Sequence, residues 1–330
     1  RGAHRMYLTN REEMDRGAVV ANPWRFDATP LADGTTQEAS ALQAYYNLVA
    51  RLGSEAVATE YDNDPPPEQG PQDNGLTAYR VQHQVSGHER RLVPDGAVLL
   101  TAGLDVRKIA VHWVVRAWQA DATGWQIDYG VHDVRGTVLG SDEGVDLAVR
   151  RAILERLEEW RLEPYRDSRG RDVPIKLALV DAGWRTEAVY QATKQWGLGV
   201  LPAMGFGKSA GCAGANFSDM QTNSPNRRAG DGWFMTHRPA AGGVWLVAMD
   251  ADRWKSWEHD RWLTDPGRAG SLTNWGEPTE PTNREHRRRH FAYSKHVVAE
   301  QEVEEVKNGR LTRSWQSKSD NNHWLDAGYM

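Results

Sequence analysis

The order of apolar runs predicts a mixed α/β fold: an antiparallel meander of three strands, extended by parallel strands and flanked by helices. Three observations carry this. Strand-like runs fill 98–131 with only short connections between them, as antiparallel neighbours require. A five-turn amphipathic stretch from Val145 to Trp160 then leads into Ile175 to Asp181, a short and nearly continuous apolar run suited to a buried parallel strand. A second helical stretch leads on to Val200-Leu201, which gives the order β-β-β-α-β-α-β.

Along the chain, 1–96 reads as a linker or adaptor segment with one helix, and 97–330 as the folded domain. In the first part, a helix opens at Thr35-Thr36-Gln37-Glu38 and places Leu42, Tyr45, Tyr46 and Val49 on one face, with Gly53 as its stop. Glu60 to Gly75 is rich in Pro, Gly, Gln and Asp and has no core of its own. In the second part, Val98 to Asp105 is the first strand and Ile109 to Trp118 the second. The third alternates Trp125, Ile127, Tyr129 and Val131 with polar or small residues. Val145, Val149, Ala152, Ile153, Leu157 and Trp160 face one side of the first long helix. Thr186 caps a helix carrying Val189, Ala192 and Trp196, and Gly197 ends it.

The stretch 205–232 is rich in Gly, Ser and Asn and too long for an ordinary connection, so it is mobile or functional. Trp233-Phe234-Met235 and Val244 to Met249 form a hairpin around Pro239 and Gly242-Gly243. Asp252 to Leu263 is helical, Val297 to Val306 an acidic helix or strand–helix junction, and Arg310 to Trp315 a last strand. Asn321 to Asp326 opens the closing helix. No internal repeat occurs.

Composition narrows the function. One cysteine excludes a disulfide framework and a multi-cysteine zinc site. No run reaches the roughly 18 apolar residues of a membrane span. The start, Arg1 to Arg5, has neither a signal-peptide core nor an initiator Met, which points to a fragment of a longer chain. Forty basic against 45 acidic residues give a net charge of -5. DNA would therefore be held by a local patch, or by metal ions that cancel the chain's own carboxylates. Fifteen Trp serve core and rim packing.

Three carboxylates stand out. Asp105 ends an apolar strand just after Ala102 and Gly103, small residues that leave room for a metal and a polymer backbone. Alternatively, it only ends the strand in a turn. Asp181 ends the buried parallel strand, where open α/β sheets place ligands. It too has a bland reading, as a cap of the helix that follows. Asp326 shares a helical face with His323, unless the C-terminal helix is simply frayed. Phosphodiester hydrolysis needs an activated water and a stabilised leaving oxygen. Two hard cations about 4 Å apart serve both ends, and Asp supplies the oxygen ligands that Mg²⁺ or Mn²⁺ prefer.

Other motifs are weaker. Gly207-Lys208-Ser209 invites a phosphate-loop reading, but Pro202 stands where that motif needs glycine, so ATP binding is not expected. Lys208 instead touches a phosphate from a flexible loop, or is simply solvated. The basic run around Arg287-Arg288-Arg289 is a DNA-contacting strip or a solvated face. Cys212 has no evident partner. His4, His83, His88, His132 and His237 show no metal-ligand spacing, and no G-x-S-x-G supports a serine hydrolase.

At these residues the chain resembles the large terminase subunit of lambda-like tailed bacteriophages, in its C-terminal nuclease half. The carrying segments are Leu100 to Val106, Leu179 to Thr186 and Asn322 to Asp326. Trp125 to Tyr129, Glu60 to Pro65 and Phe291 to Glu300 also fit, so the likeness runs over about 40–330. It implies a ribonuclease-H-like fold and a two-metal endodeoxyribonuclease, using Mg²⁺ or Mn²⁺, that cuts concatemeric double-stranded DNA during packaging. It carries the metal-ligand and catalytic roles onto Asp105, Asp181 and Asp326, with His323 and Arg185 in support. It also implies an upstream ATPase half, a small terminase subunit and a portal as partners, no membrane, and work in the cytoplasm of the infected bacterial host. Two rivals stand beside it: a resolvase- or transposase-type nuclease of the same fold, and a non-enzymatic packaging module.

Overall fold

The structure is a computed structural model that describes residues 2–20, 22–52, 72–73, 75–138, 140–207, 228–239, 242–277, 289–307 and 310–330. The chain divides into two compact units, 1–70 and 71–330.

In the first unit, α1 (Gly2–Thr9), α2 (Arg11–Met14) and α3 (Ala41–Leu52) gather around buried Tyr7. The Tyr7 hydroxyl donates to Asp15 Oδ1 at 2.6 Å and lies 2.7 Å from Ser40 Oγ. The helix expected from Thr35 begins only at Ala41. Thr35 and Thr36 instead sit in a turn, where Asp33 Oδ1 accepts from the Thr35 backbone and hydroxyl. Short polar side chains that bond their own backbone compete with helix in this way. Gly53 lies outside the described residues.

The second unit opens with β1 (Gln72–Asp73), α4 (Ala78–His83) and β2 (Leu92–Val93). The meander follows: β3 (Leu99–Val106), β4 (Ala110–Trp118) and β5 (Gly124–Asp133). Next come α5 (Val145–Leu162), a small hairpin of β6 (Tyr165–Asp167) and β7 (Asp172–Val173), then β8 (Leu177–Asp181), α6 (Thr186–Trp196) and β9 (Val200–Phe206). The second half adds β10 (Arg228–Gly230), β11 (Trp233–Arg238), β12 (Val244–Asp250), α7 (Ala251–Leu263), β13 (Leu272–Asn274) and α8 (Phe291–Val297). The hairpin β14 (Glu300–Lys307) and β15 (Arg310–Ser317) and the closing helix α9 (His323–Tyr329) complete it.

Among the described residues, nine strands form one sheet in the order β10-β11-β12-β9-β8-β3-β4-β5-β13. β3 pairs antiparallel with β4 and parallel with β8, and β8 pairs parallel with β9. A meander whose first strand is then joined by parallel strands is the ribonuclease-H-like arrangement. The Val297–Val306 region resolves into the end of α8 and strand β14, which pairs with β1 and β15. Thr186 is the first helical residue of α6 rather than its cap. Arg185 holds the cap position in the left-handed region, and the Thr186 hydroxyl donates to Ala182 O.

The alternation of side chains along a strand divides this sheet into two faces. Leu100, Ala102, Leu104 and Val106 of β3 join Val111, Trp113, Val115 and Ala117 of β4 in a core covered by α5 and α6. The intervening positions, Gly103 and Asp105 on β3 and His112, Val114 and Arg116 on β4, face the opposite side. There Val114 packs with Trp262 of α7, Tyr293 and Val297 of α8, and Trp324 and Ala327 of α9. Everything chemical in the second unit follows from Asp105 lying on this second face.

Candidate metal centre

The parallel register of β3 and β8 pairs Gly103 with Leu179 and Leu104 with Val180. One residue further, Asp105 and Asp181 stand side by side at the ends of the two central strands. Asp105 is fully buried, and its Oδ1 has no hydrogen-bond partner. The Asp181 Oδ1 accepts from the Gly183 backbone at 2.9 Å. The third carboxylate arrives on α9, which lies directly over β3. A Cβ on Gly103 would stand 1.8 Å from Ala327 O. The room expected beside Gly103 for a metal or a polymer is thus taken by the helix that delivers Asp326.

A buried polar network fixes α9 in place. Arg116 of β4 forms a two-pronged ion pair with Glu258 of α7, at 2.5 Å for each prong, and donates to Gly328 O at the end of α9. Gly328 faces this pair at close range, since a Cβ there would lie 2.8 Å from Arg116 Nη2. Gln126, Tyr293 and Trp262 complete the network.

Asp181, Asp326, Arg107, His323 and Lys255 line a cavity of about 520 Å³, with Trp184, Glu300 and Asn322 among their neighbours. Arg107 lies over Asp105. Its Nε donates to Asp105 Oδ2 at 3.0 Å and to His323 Nδ1 at 3.1 Å, and its Nη2 reaches Asp326 Oδ2 at 3.4 Å. On the far side of Asp326, buried Lys255 stands 3.8 Å from Oδ1 and 2.6 Å from Glu300 Oε2. Glu300 Oε1 in turn accepts from Asn322 at 2.5 Å.

Burial and the nearby Asp105 charge push the Asp181 carboxyl up to about 7, against the bond from Gly183. Burial pushes Asp326 well above the usual carboxylate range too. Lys255 opposes that shift, while Asp105, Glu300 and Asp181 add to it. Such a cluster is relieved by a proton or by a cation.

Three histidines crowd the same centre. His112, the register partner of Asp105 on β4, lies 4.5 Å from the His323 ring. His296 of α8 lies 5.6 Å from each of these rings. Burial and neighbouring His323 push His112 and His296 down to about 4, so both are neutral near pH 7.

The sequence-level candidates therefore part company. Asp105, Asp181, Asp326 and His323 converge. Arg185 does not join them: it pairs with Asp142 and Asp146 and stacks over Trp184. Arg289 sits against Gly276 and beside Tyr129 and does not line the cavity. Lys208, Arg287 and Arg288 lie outside the described residues. Sequence reasoning missed Arg107, Lys255, Glu300, His112 and His296. Arg107, two residues beyond Asp105, and His112, across a short turn from it, had a local signal. The other three are brought in only by tertiary packing.

Acidic groups gathered at the ends of two central parallel strands and on a closing helix, in this sheet order, define a protein of the ribonuclease-H-like class. The chain belongs to the family of the terminase large subunit gpA endonuclease domain, whose model matches residues 67–330. No curated protein matches the chain. Among solved structures, the Thermus thermophilus RuvC structure is similar at 17% identity and a TM-score of 0.23, over 32% of this chain and 60% of that one. T. thermophilus RuvC in complex with Holliday junction substrate is similar at 16% identity and a TM-score of 0.22, over 32% of this chain and 63% of that one. The chain thus spans less than two thirds of the length of these two structures.

Proposed function

We propose that this chain is the metal-dependent endonuclease part of a phage terminase, cutting concatemeric double-stranded DNA during genome packaging. In this reading Asp105, Asp181 and Asp326 hold two divalent cations, Mg²⁺ or Mn²⁺. The observation that carries it is the meeting of three carboxylates from three separate segments: Asp181 and Asp326 line one cavity, and Asp105 lies buried behind Arg107 with its Oδ1 unpartnered. Hard oxygen donors at this density suit such ions. Bound there, two cations would activate a water and stabilise the leaving oxygen of the phosphodiester.

The chain's own groups have distinct tasks. Lys255, clamped by Glu300, holds one oxygen of Asp326 and fixes its orientation. Arg107 neutralises Asp105 and Asp326. Its side chain is 38% exposed, so it can turn outward to meet a phosphate oxygen bidentately. Trp184 offers an aromatic wall beside the cavity. Lys208, Arg287, Arg288 and Arg289 are proposed to contact the DNA backbone, and Arg185 to support the Asp181 end through Trp184. The upstream ATPase half, the small subunit and the portal are the proposed partners, in the host cytoplasm. Among the described residues no helix is long and apolar enough to cross a membrane.

Asp181→Asn tests this reading. The substitution keeps the shape and removes a charge that holds a cation. The purified parent should nick or cut double-stranded DNA with Mn²⁺ or Mg²⁺ and be silent in chelator, more slowly as salt rises. Asp181→Asn should lose that activity while melting at or above the metal-free parent's temperature. A variant that cuts like the parent would remove Asp181 from the cutting site, and a parent that cuts with neither metal would favour the non-enzymatic packaging module.

A further inference from the structure

We infer that the centre holds one of its cations through nitrogen as well as oxygen, in a mixed site formed by Asp105, His112 and His323 that selects Mn²⁺, Co²⁺ or Zn²⁺ over Mg²⁺. The inference rests on the metal-centre reading above and names ligands that the three carboxylates do not supply.

The ligand atoms of Asp105, His112 and His323 all lie within 4.8 Å of one another. A first-row cation with bonds of about 2.1 Å holds its ligand atoms about 3 to 3.5 Å apart. Small rotations of the two rings close that difference. His323 Nδ1 is already 3.1 Å from Asp105 Oδ2. Arg107 Nε also lies 3.1 Å from it, so Nδ1 is the ring nitrogen turned toward the Asp105 side of the centre. The Arg107 guanidinium thus marks a place where a cation is already received by the very atoms a metal would take.

The simplest competing account is that the rings only pack. His112 and His296 do lie against Trp324, with ring centroids 5.3 and 4.5 Å away. Packing alone leaves three buried polar atoms without partners: Asp105 Oδ1, His112 Nδ1 and His296 Nδ1. Burying such an atom unpaired is costly, and Asp105 and His112 both belong to the group whose ligand atoms lie within 4.8 Å of one another. His296 stands behind His112 and His323, where it holds their ring planes. Imidazole nitrogen is a softer donor than carboxylate. First-row transition ions accept it more readily than Mg²⁺, which keeps to oxygen.

Mn²⁺ added to the chelator-stripped chain is the probe, read by pulsed EPR for ¹⁴N coupling and by calorimetry for affinity. The parent should show histidine nitrogen coupled to bound Mn²⁺. His112→Phe keeps a ring against Trp324 and removes the nitrogen. It should weaken the ¹⁴N signal and lower Mn²⁺ affinity about tenfold or more, with Mg²⁺ affinity changed less than twofold. His112→Gln provides a second variant should the Phe ring fail to pack. Asp181→Asn should keep the nitrogen signal. If the parent shows the nitrogen signal but does not cut DNA with either metal, the nuclease reading fails and the nitrogen assignment stands. Bound Mn²⁺ with only oxygen ligands in the parent would overturn the assignment. So would equal losses of Mn²⁺ and Mg²⁺ affinity in His112→Phe.

Discussion

Gly103 decides whether Asp326 reaches the other two acids. Its missing side chain admits the backbone of α9 to within 1.8 Å of where a Cβ would be. Gly103→Ala forces that helix off the sheet. The melting temperature should fall by the equivalent of about 3 kcal/mol or more, as overpacked positions do, and metal-dependent cutting should vanish with Asp105 and Asp181 untouched. Differential scanning calorimetry and a plasmid-nicking assay check both; an unchanged nicking rate would contradict this role. The three aspartates were legible as candidates because each follows a recognisable element: Asp105 and Asp181 end apolar strands, and Asp326 opens a helix. Ala102 and Gly103 were noticed for the right physical reason, the need for space, but the occupant is a helix. Lys255 and Glu300 were not legible. Each is one charged residue among many on a polar stretch, and only their 2.6 Å pairing inside the fold separates them from solvated charges.

At the level of elements, β3 is the instructive case. Leu99-Leu100-Thr101-Ala102-Gly103-Leu104-Asp105-Val106 looks continuously apolar, yet it has two faces with different partners. Leu100, Ala102 and Leu104 pack under α5 and α6, while Gly103 and Asp105 meet α9. The meander, α5, β8, α6, β9 and the β11–β12 hairpin were readable from periodicity, since each buries a simple stripe. The edge strand β13 was not. It is three residues long and pairs parallel with β5, across a separation that local pattern does not report. The hold on α9 is also tertiary, through Arg116 and Glu258. Glu258→Gln leaves the buried Arg116 charge uncompensated, and breaking such pairs costs about 3–5 kcal/mol. Chemical denaturation of the variant should show a loss of that size, with metal affinity falling alongside because Gly328 loses its anchor. A loss below about 1 kcal/mol would mean that α9 is held by its apolar contacts alone.

Across the second unit, buried neutral histidines set the response to acid. His259 donates from Nε2 to Val297 O at 2.9 Å, and burial pushes it down to about 4 from 6.5, against that bond. Between those values the unfolded chain binds a proton that the folded chain refuses, so stability is full above pH 6.5 and lost as pH falls towards 4. The shift is worth about 3 kcal/mol. Asp181, with its pKa raised to about 7, acts in the opposite sense: without metal, its contribution weakens stability as pH rises from 4 to 7. Comparing His259→Gln with the parent at pH 7 and pH 4.5 isolates the histidine. The variant should lose less stability between the two, and equal losses would refute the assignment. Metal acts on the same balance by mass action. At a hundred times its dissociation constant a bound cation adds about 2.7 kcal/mol, so Mn²⁺ should raise the melting temperature of the parent and raise that of Asp181→Asn much less. The most direct test of the whole account is an anomalous-scattering map of crystals soaked in Mn²⁺. Two peaks about 4 Å apart, ligated by Asp105, Asp181 and Asp326, are the expected result. A map with Arg107 still bridging Asp105 and Asp326 and no manganese between the three carboxylates at saturating metal would contradict it.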